Sequence, residues 1–167
     1  AASDVYKRQG KKMCKIYYEG RWYEEKEVEE NIMEYRAKIS GLGIQPEEVT
    51  GLYLKRDAQM LFLIFALYDM GIAFLPLDIH VPKLRNDSII RQAGVTRVLA
   101  DTACDLDAEV VRVELLEHRT EEHMTDSPVA YCISTSGTTG TPKIVQTGRR
   151  AFAVSYTHLT LPTNSLV

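Results

Sequence analysis

The residues best suited to chemistry lie between Ser134 and Lys143, which read STSGTTGTPK. Thr135, Ser136, Thr138 and Thr139 supply hydroxyl donors without charge, and Lys143 closes the run with one compact ammonium. Gly137 and Gly140 can take positive φ and admit close backbone approach. Successive N–H groups in such a turn can converge on one anion. A phosphate chain is the ligand class this favours, since each hydrogen bond to a charged partner contributes roughly 1.5–3 kcal/mol. The spacing Gly-x-x-Gly-x-x-Lys is not the Walker loop, which needs four residues between its glycines and then Gly-Lys-Ser/Thr. A polar Ser/Thr/Gly surface turn without a ligand has the same composition, and composition leaves both readings open. No Gly-x-Ser-x-Gly elbow is present, so a serine hydrolase is excluded.

Val129–Ile133 (VAYCI) precedes this stretch and reads as a short buried strand. The loop therefore hangs from a strand end, where open α/β sheets place their ligands. Upstream, Lys15–Tyr18 and Arg21–Tyr23 flank Glu19-Gly20 and predict a β-hairpin. Glu24–Ser40 follows as a helix with Val28, Ile32, Tyr35 and Ile39 on one face and Gly41 as its C-terminal cap. Val49–Leu54 reads as a strand, and Ala58–Met70 as a buried helix ended by Gly71. That apolar run is shorter than the about 20 residues a membrane span needs. Ala73–Leu77 is a strand in which Pro76 disfavours a central ladder position. Lys83–Gln92 is a helix with Leu84, Ile89 and Ile90 inward and Gly94 at its end. Arg97–Ala100 and Val110–Val113 are further strands, and Glu114–Pro128 is polar and loop-rich. Strand and helix alternating at these spacings predict an α/β fold, a mostly parallel sheet flanked by helices with right-handed crossovers.

Composition bounds the remaining possibilities. The 167 residues carry 20 Lys and Arg against 23 Asp and Glu, a net charge of −3, with no basic stripe for a nucleic acid. Cys14, Cys104 and Cys132 are far apart, which suits neither a zinc site nor a disulfide framework and points to a reducing cytoplasm. The acidic run Glu24–Glu30 reads as a solvated helix face, and adjacent Glu121, Glu122 and His123 do not make a metal face. No metal site is expected. The opening AASDVYKRQ and the closing SYTHLTLPTNSLV resemble translated sequencing-adaptor read-through. Residues 1–9 and 155–167 are therefore expected to be non-native, leaving 10–154 as the domain.

STSGTTGTPKIV resembles the phosphate-loop signature of the adenylate-forming (AMP-binding) synthetases, Tyr-Thr-Ser-Gly-(Ser/Thr)-Thr-Gly-x-Pro-Lys-Gly-Val. Thr135, Ser136, Gly137, Thr138, Thr139, Gly140, Pro142 and Lys143 match, whereas Ser134 replaces an aromatic and Ile144 a glycine. A β-branched residue at 144 disfavours positive φ, so a regular return strand is expected. FLPLDIHVPKLR, residues 74–85, is similar to the adenylation-domain stretch Tyr-Val-Pro-Leu-Asp-Pro-x-Tyr-Pro-x-Glu-Arg, matching at Pro76, Leu77, Asp78, Pro82 and Arg85. Met60–Gly71 resembles the apolar helix before that stretch, and Trp22–Glu24 the family's opening Thr-Tyr-x-Glu. The Pro-Leu-Asp wording leans toward the carrier-protein-loading, peptide-synthetase type.

The resemblance implies a two-step reaction: a carboxylic or amino acid attacks the α-phosphate of ATP, and the acyl-adenylate then passes to a thiol of phosphopantetheine, on an acyl or peptidyl carrier protein, or of CoA. Thr135, Ser136, Gly137, Thr138, Thr139, Gly140 and Lys143 would bind the phosphates, and Mg²⁺ would accompany the nucleotide. The family carries its acid pocket, adenine and ribose contacts and catalytic Lys downstream of this loop. The chain therefore reads as the N-terminal part of such a ligase, with no catalytic residue of its own and no activity alone. A non-catalytic nucleotide-binding module and a structural fragment with a coincidental loop are the alternatives.

Overall fold

The structure, a computed structural model, describes residues 15–120, 123–136 and 142–152. The chain opens with an antiparallel hairpin, β1 (Ile16–Tyr18) and β2 (Arg21–Tyr23). Its turn residues Glu19 and Gly20 both have positive φ, 46° and 81°, the backbone that a two-residue hairpin of right-handed twist requires. Period-two alternation turns Tyr18 and Tyr23 toward the core and leaves Tyr17 and Trp22 exposed, their rings 5.1 Å apart.

Among the described residues six strands form the main sheet: β3 (Val49–Tyr53), β4 (Ala73–Pro76), β5 (Arg97–Ala100), β6 (Glu109–Arg112), β7 (Val129–Thr135) and β8 (Lys143–Gly148). Their order is β6-β5-β3-β4-β7-β8; every pair is parallel except the antiparallel β7–β8 hairpin at the edge. Helix α1 (Glu25–Ser40) and helix α2 (Ala58–Asp69) pack against each other. They bury Val28, Ile32, Ile39, Phe62, Leu63 and Leu67 in one core. Helix α3 (Lys83–Ala93) belongs to a second core, where Ile89 and Ile90 meet Leu75, Val98 and Cys132. The chain steps from β3 to β4 in one direction and from β4 back past β3 to β5 in the other. Right-handed crossovers then put α2 and α3 on opposite faces.

Gly41 is the C-terminal cap of α1 as expected, with φ −67°; the left-handed residue is Gly43, φ 56°. Three details differ from the sequence reading. β4 is central despite Pro76, because the proline is its last residue, opposite Leu52, and the next amide, Leu77 N–H, donates to the Leu52 carbonyl at 2.8 Å. Leu84 points outward at 78% exposure, and the inner side of α3 instead takes Asn86 and Asp87 with Ile89 and Ile90. The last parallel strand before the polar stretch is Glu109–Arg112, one residue earlier than its pattern suggested, and Val113 opens a short 3₁₀ turn, Val113–Leu115.

Residues 116–120 and 123–128 strap back across the helix ends. Arg119 N–H donates to the Ala37 carbonyl, Thr125 N–H to that of Met70 and Ser127 N–H to that of Gly71, while the His123 ring meets the Ile44 carbonyl at 2.7 Å. Gly71, φ 77°, is required there: a Cβ would sit 2.1 Å from the Thr125 carbonyl oxygen. His123 is thus a structural contact, and Glu121 and Glu122 lie outside the described residues. So do Cys14 and both adaptor-like ends. Cys104 and Cys132 are free thiols, and burial pushes both above the usual thiol range, which makes them poor nucleophiles.

Candidate functional site

Five parallel strands run the same way, so the residues that follow them share one edge of the sheet. Arg56 and Asp57 follow β3, Leu77 and Asp78 follow β4, Asp101 follows β5, and the polar stretch follows β7. β3 lies between β4 and β5, the point at which chain direction across the sheet reverses and a crevice opens.

The ladder of β7 and β8 closes the polar stretch. It pairs Ile133 with Val145, Ser134 with Ile144 and Thr135 with Lys143. Ser134 and Thr135, expected in the loop, are therefore the last strand residues. β8 is continuous from Lys143, as the β-branched Ile144 led us to expect. Thr135, Ser136 and Lys143 are all exposed. The Thr135 hydroxyl makes only a long 3.4 Å contact to the Lys143 carbonyl, and the Lys143 ammonium has no hydrogen-bond or ion-pair partner among the described residues. Gly137, Thr138, Thr139 and Gly140 lie outside the described residues, so the expected convergence of their amides does too. No described residue neutralises this cation. That is the fit a polyphosphate needs.

Beside the loop lies a cleft of about 310 Å³ whose lining includes Arg56, Asp78, Arg85, Asn86, Ile133 and Ser134. Its wall is organised by Asp78. One carboxylate oxygen accepts from His80 N–H at 2.8 Å, the other meets Arg56 Nη2 at 3.4 Å, and the Asp78 carbonyl accepts from Asn86 Nδ2 at 2.9 Å. Arg85, by contrast, has no side-chain partner among the described residues. Asp87 beneath it is held by Lys83 Nζ at 2.8 Å and by the Asp107 amide at 2.9 Å, which together keep its carboxyl below the usual carboxylate range.

A second cleft, of about 270 Å³, opens at the ends of β3 and β5 and takes in Tyr35, Lys38, Asp57, Gln59, Asp101 and Glu114. Tyr35 donates to Gln59 Oε1 at 2.9 Å; burial first, then the neighbouring carboxylates, push its phenol up to about 12. Asp57 caps α2 through the Met60 amide, and Asp101 accepts from Lys55 N–H. Among the described residues no group of three His, Cys, Asp or Glu side chains could hold a metal.

The sequence reading missed Arg56 and Asn86 as cleft residues. Arg56 could have been found as a cation placed directly after a parallel strand. Asn86 carries no such signal, since it is polar at a position where an amphipathic pattern is read for apolar residues.

A family model described as "AMP-binding enzyme" matches residues 3–165. A plipastatin synthase of Bacillus subtilis (strain 168) is 31% identical over 130 residues, which cover 72% of this chain and 5% of that protein. The phosphinothricin tripeptide synthetase PhsC of Streptomyces viridochromogenes is 29% identical over 140 residues, 75% of this chain and 13% of its own length. The chain thus spans a small part of these relatives. Among solved structures, the N-terminal subdomain of Klebsiella oxytoca NpsA superimposes with a TM-score of 0.74 at 18% identity, covering 90% of this chain and 42% of that one. O-succinylbenzoate coenzyme A synthetase of Bacillus subtilis, in complex with ATP and magnesium ion, gives 0.70 at 15% identity, covering 96% of this chain and 47% of that one. At these identities the structural likeness establishes a shared fold.

Proposed function

The chain belongs to the AMP-binding enzyme family, and from that premise we propose that it is the phosphate-gripping portion of an adenylate-forming ligase. Thr135, Ser136, Gly137, Thr138, Thr139, Gly140 and Lys143 hold the β- and γ-phosphates of ATP. A carboxylate oxygen of the acid then bonds to the α-phosphorus, and the bond to the bridging oxygen breaks to release pyrophosphate. The chain's part is electrostatic: amides, hydroxyls and one ammonium orient the leaving pyrophosphate and offset its charge.

The observation behind this reading is the pairing of Thr135 with Lys143 at the carboxyl edge, with an exposed ammonium that no described side chain neutralises. Mg²⁺ accompanying the nucleotide would offset phosphate charge and would be held mainly by the nucleotide and water, since among the described residues no group of three His, Cys, Asp or Glu side chains could hold a metal. The second half of the proposal is transfer of the acyl group to a thiol. The phosphinothricin relative is a tripeptide synthetase by name, which favours phosphopantetheine on a carrier protein over CoA and an amino acid among carboxylic acids. A cytoplasmic setting suits the free thiols at Cys104 and Cys132. The chain by itself binds phosphates without turnover.

Titration of the chain with tripolyphosphate and with ATP, followed by NMR at Thr135 and Lys143, tests this. Both ligands are expected to bind with similar millimolar Kd, about −4 kcal/mol, and Lys143→Ala is expected to abolish the response. ATP binding far tighter than tripolyphosphate would instead favour a self-sufficient nucleotide module. No response at either residue would leave the loop without a phosphate role.

A further inference from the structure

Among the described residues β8 is an edge strand with β7 as its one ladder neighbour, and the position of Lys143 depends on that ladder's register. The register is not uniform. Tyr131 pairs with Thr147, and the same offset continues to Thr135 and Lys143, but Val129 pairs with Gly148, so Ala130 is an extra residue on β7. The two offsets differ by one residue, and the second marks a neighbouring register that the same two strands could take. Extending the Val129–Gly148 offset along the hairpin would put Lys143 opposite Ser134 and Ile144 opposite Ile133. A one-residue slip also turns each side chain of the slipped strand to the other face.

Immediately beyond the bulge sits Arg149. Its backbone N–H donates to the Pro128 carbonyl at 3.1 Å. Its guanidinium lies over the Tyr68 ring, 4.2 Å from the centroid, and Nη2 donates to the Tyr68 carbonyl. Tyr68 is buried in the last turn of α2, so the cation also meets the negative end of that helix. Next to it, Phe152 packs on Tyr68 at 4.7 Å and on Tyr131 at 5.7 Å, and Tyr131 stacks on Phe74 at 5.9 Å. Arg149 has no carboxylate partner among the described residues, and its Nη1 is buried without a hydrogen bond. A half-buried cation resting on a ring face without a carboxylate partner contributes only modestly to stability. Specifying one arrangement over another is the better-attested use of such a group.

We propose that Arg149 is a positioning residue that locks the β7–β8 register, and through it holds Lys143 opposite Thr135 for phosphate. The lock itself stands on the ladder and the Tyr68 contacts; its phosphate consequence rests on the function proposed above. Arg149→Met keeps the apolar stem and removes the cation. NMR cross-strand contacts in this variant are expected to show a second set, Ile133 to Ile144, beside the native Ile133 to Val145, with tripolyphosphate affinity at least fivefold weaker. Arg149→Lys, whose ammonium can still reach the Tyr68 ring and carbonyl, is expected to restore the single native set. Leu99→Ala, a cavity in β5, is expected to lower Tm without creating the second set. Should Arg149→Met not fold, Tyr68→Leu removes the ring face, keeps the carbonyl and is expected to give a milder two-set spectrum. A single native set in Arg149→Met or Tyr68→Leu, or the same two-set spectrum in Leu99→Ala, would overturn the proposal. If the wild-type chain does not bind tripolyphosphate, the functional reading fails while the two sets still decide the register lock.

Discussion

The two stretches that resemble the adenylate-forming family behave oppositely in the fold. From Phe74 to Asp87 the buried polar side chains are engaged from within, save for Asn86 Oδ1, which is buried without a hydrogen bond. Asp78 is bonded by His80, Arg56 and Asn86, and Asp87 by Lys83 and Asp107. Around 135–143 the described polar groups are left open: Thr135 and Ser136 are exposed, and Lys143 is unpaired among the described residues. Similar sequence signatures therefore mark different things. The first encodes how a strand, a turn and a helix lock together; the second leaves Lys143 without a partner among the described residues. Arg85 is a second exception in the first stretch, a cation that lines the cleft without a side-chain partner among the described residues.

This contrast can be broken by substitution. The largest effect is expected at Gly71, the residue that leads into the self-satisfied stretch. Gly71→Ala drives a Cβ to 2.1 Å from the Thr125 carbonyl at a φ of 77°, and should cost about 4 kcal/mol, read as a fall in Tm or denaturant midpoint. Next is Asn86→Ala, which strands the Asp78 carbonyl and leaves a small void, for about 2 kcal/mol.

A smaller effect is confined to alkaline pH. The Tyr35 phenol keeps its proton in the fold up to about 12, whereas the unfolded chain releases it near 10. Stability from this group is complete below pH 10 and is lost as pH rises toward 12. Tyr35→Phe should flatten that part of the stability profile, measured by denaturant titration at stepped pH. The smallest effect is expected at the open site: Lys143→Ala should change stability by less than about 0.5 kcal/mol. If Lys143→Ala destabilises as much as Asn86→Ala, the contrast between closed and open stretches is wrong.

The elements were legible where local chemistry decides them. The Glu19-Gly20 turn, the apolar face of α1 and the strands β3, β4 and β5 follow from turn propensity and hydrophobic period, which act over a few residues. The loop's residue types and its place after a strand were legible for the same reason. Leu84 misled because period counts every leucine as inward. Asn86 and Asp87 take the inner side because Asn86 Nδ2 reaches the Asp78 carbonyl and Lys83 and Asp107 hold the Asp87 carboxylate, and those partners are known only once the chain has folded.

By itself the sequence determined which residues could grip a phosphate and that they follow a parallel strand. Tertiary structure decided that Thr135 faces Lys143, that Pro76 can end a central strand, and that Arg149 rests on Tyr68, 81 residues away. The physical reason is range. Propensity and periodicity are written into neighbouring residues, while register and cation placement depend on surfaces that meet only when distant segments pack.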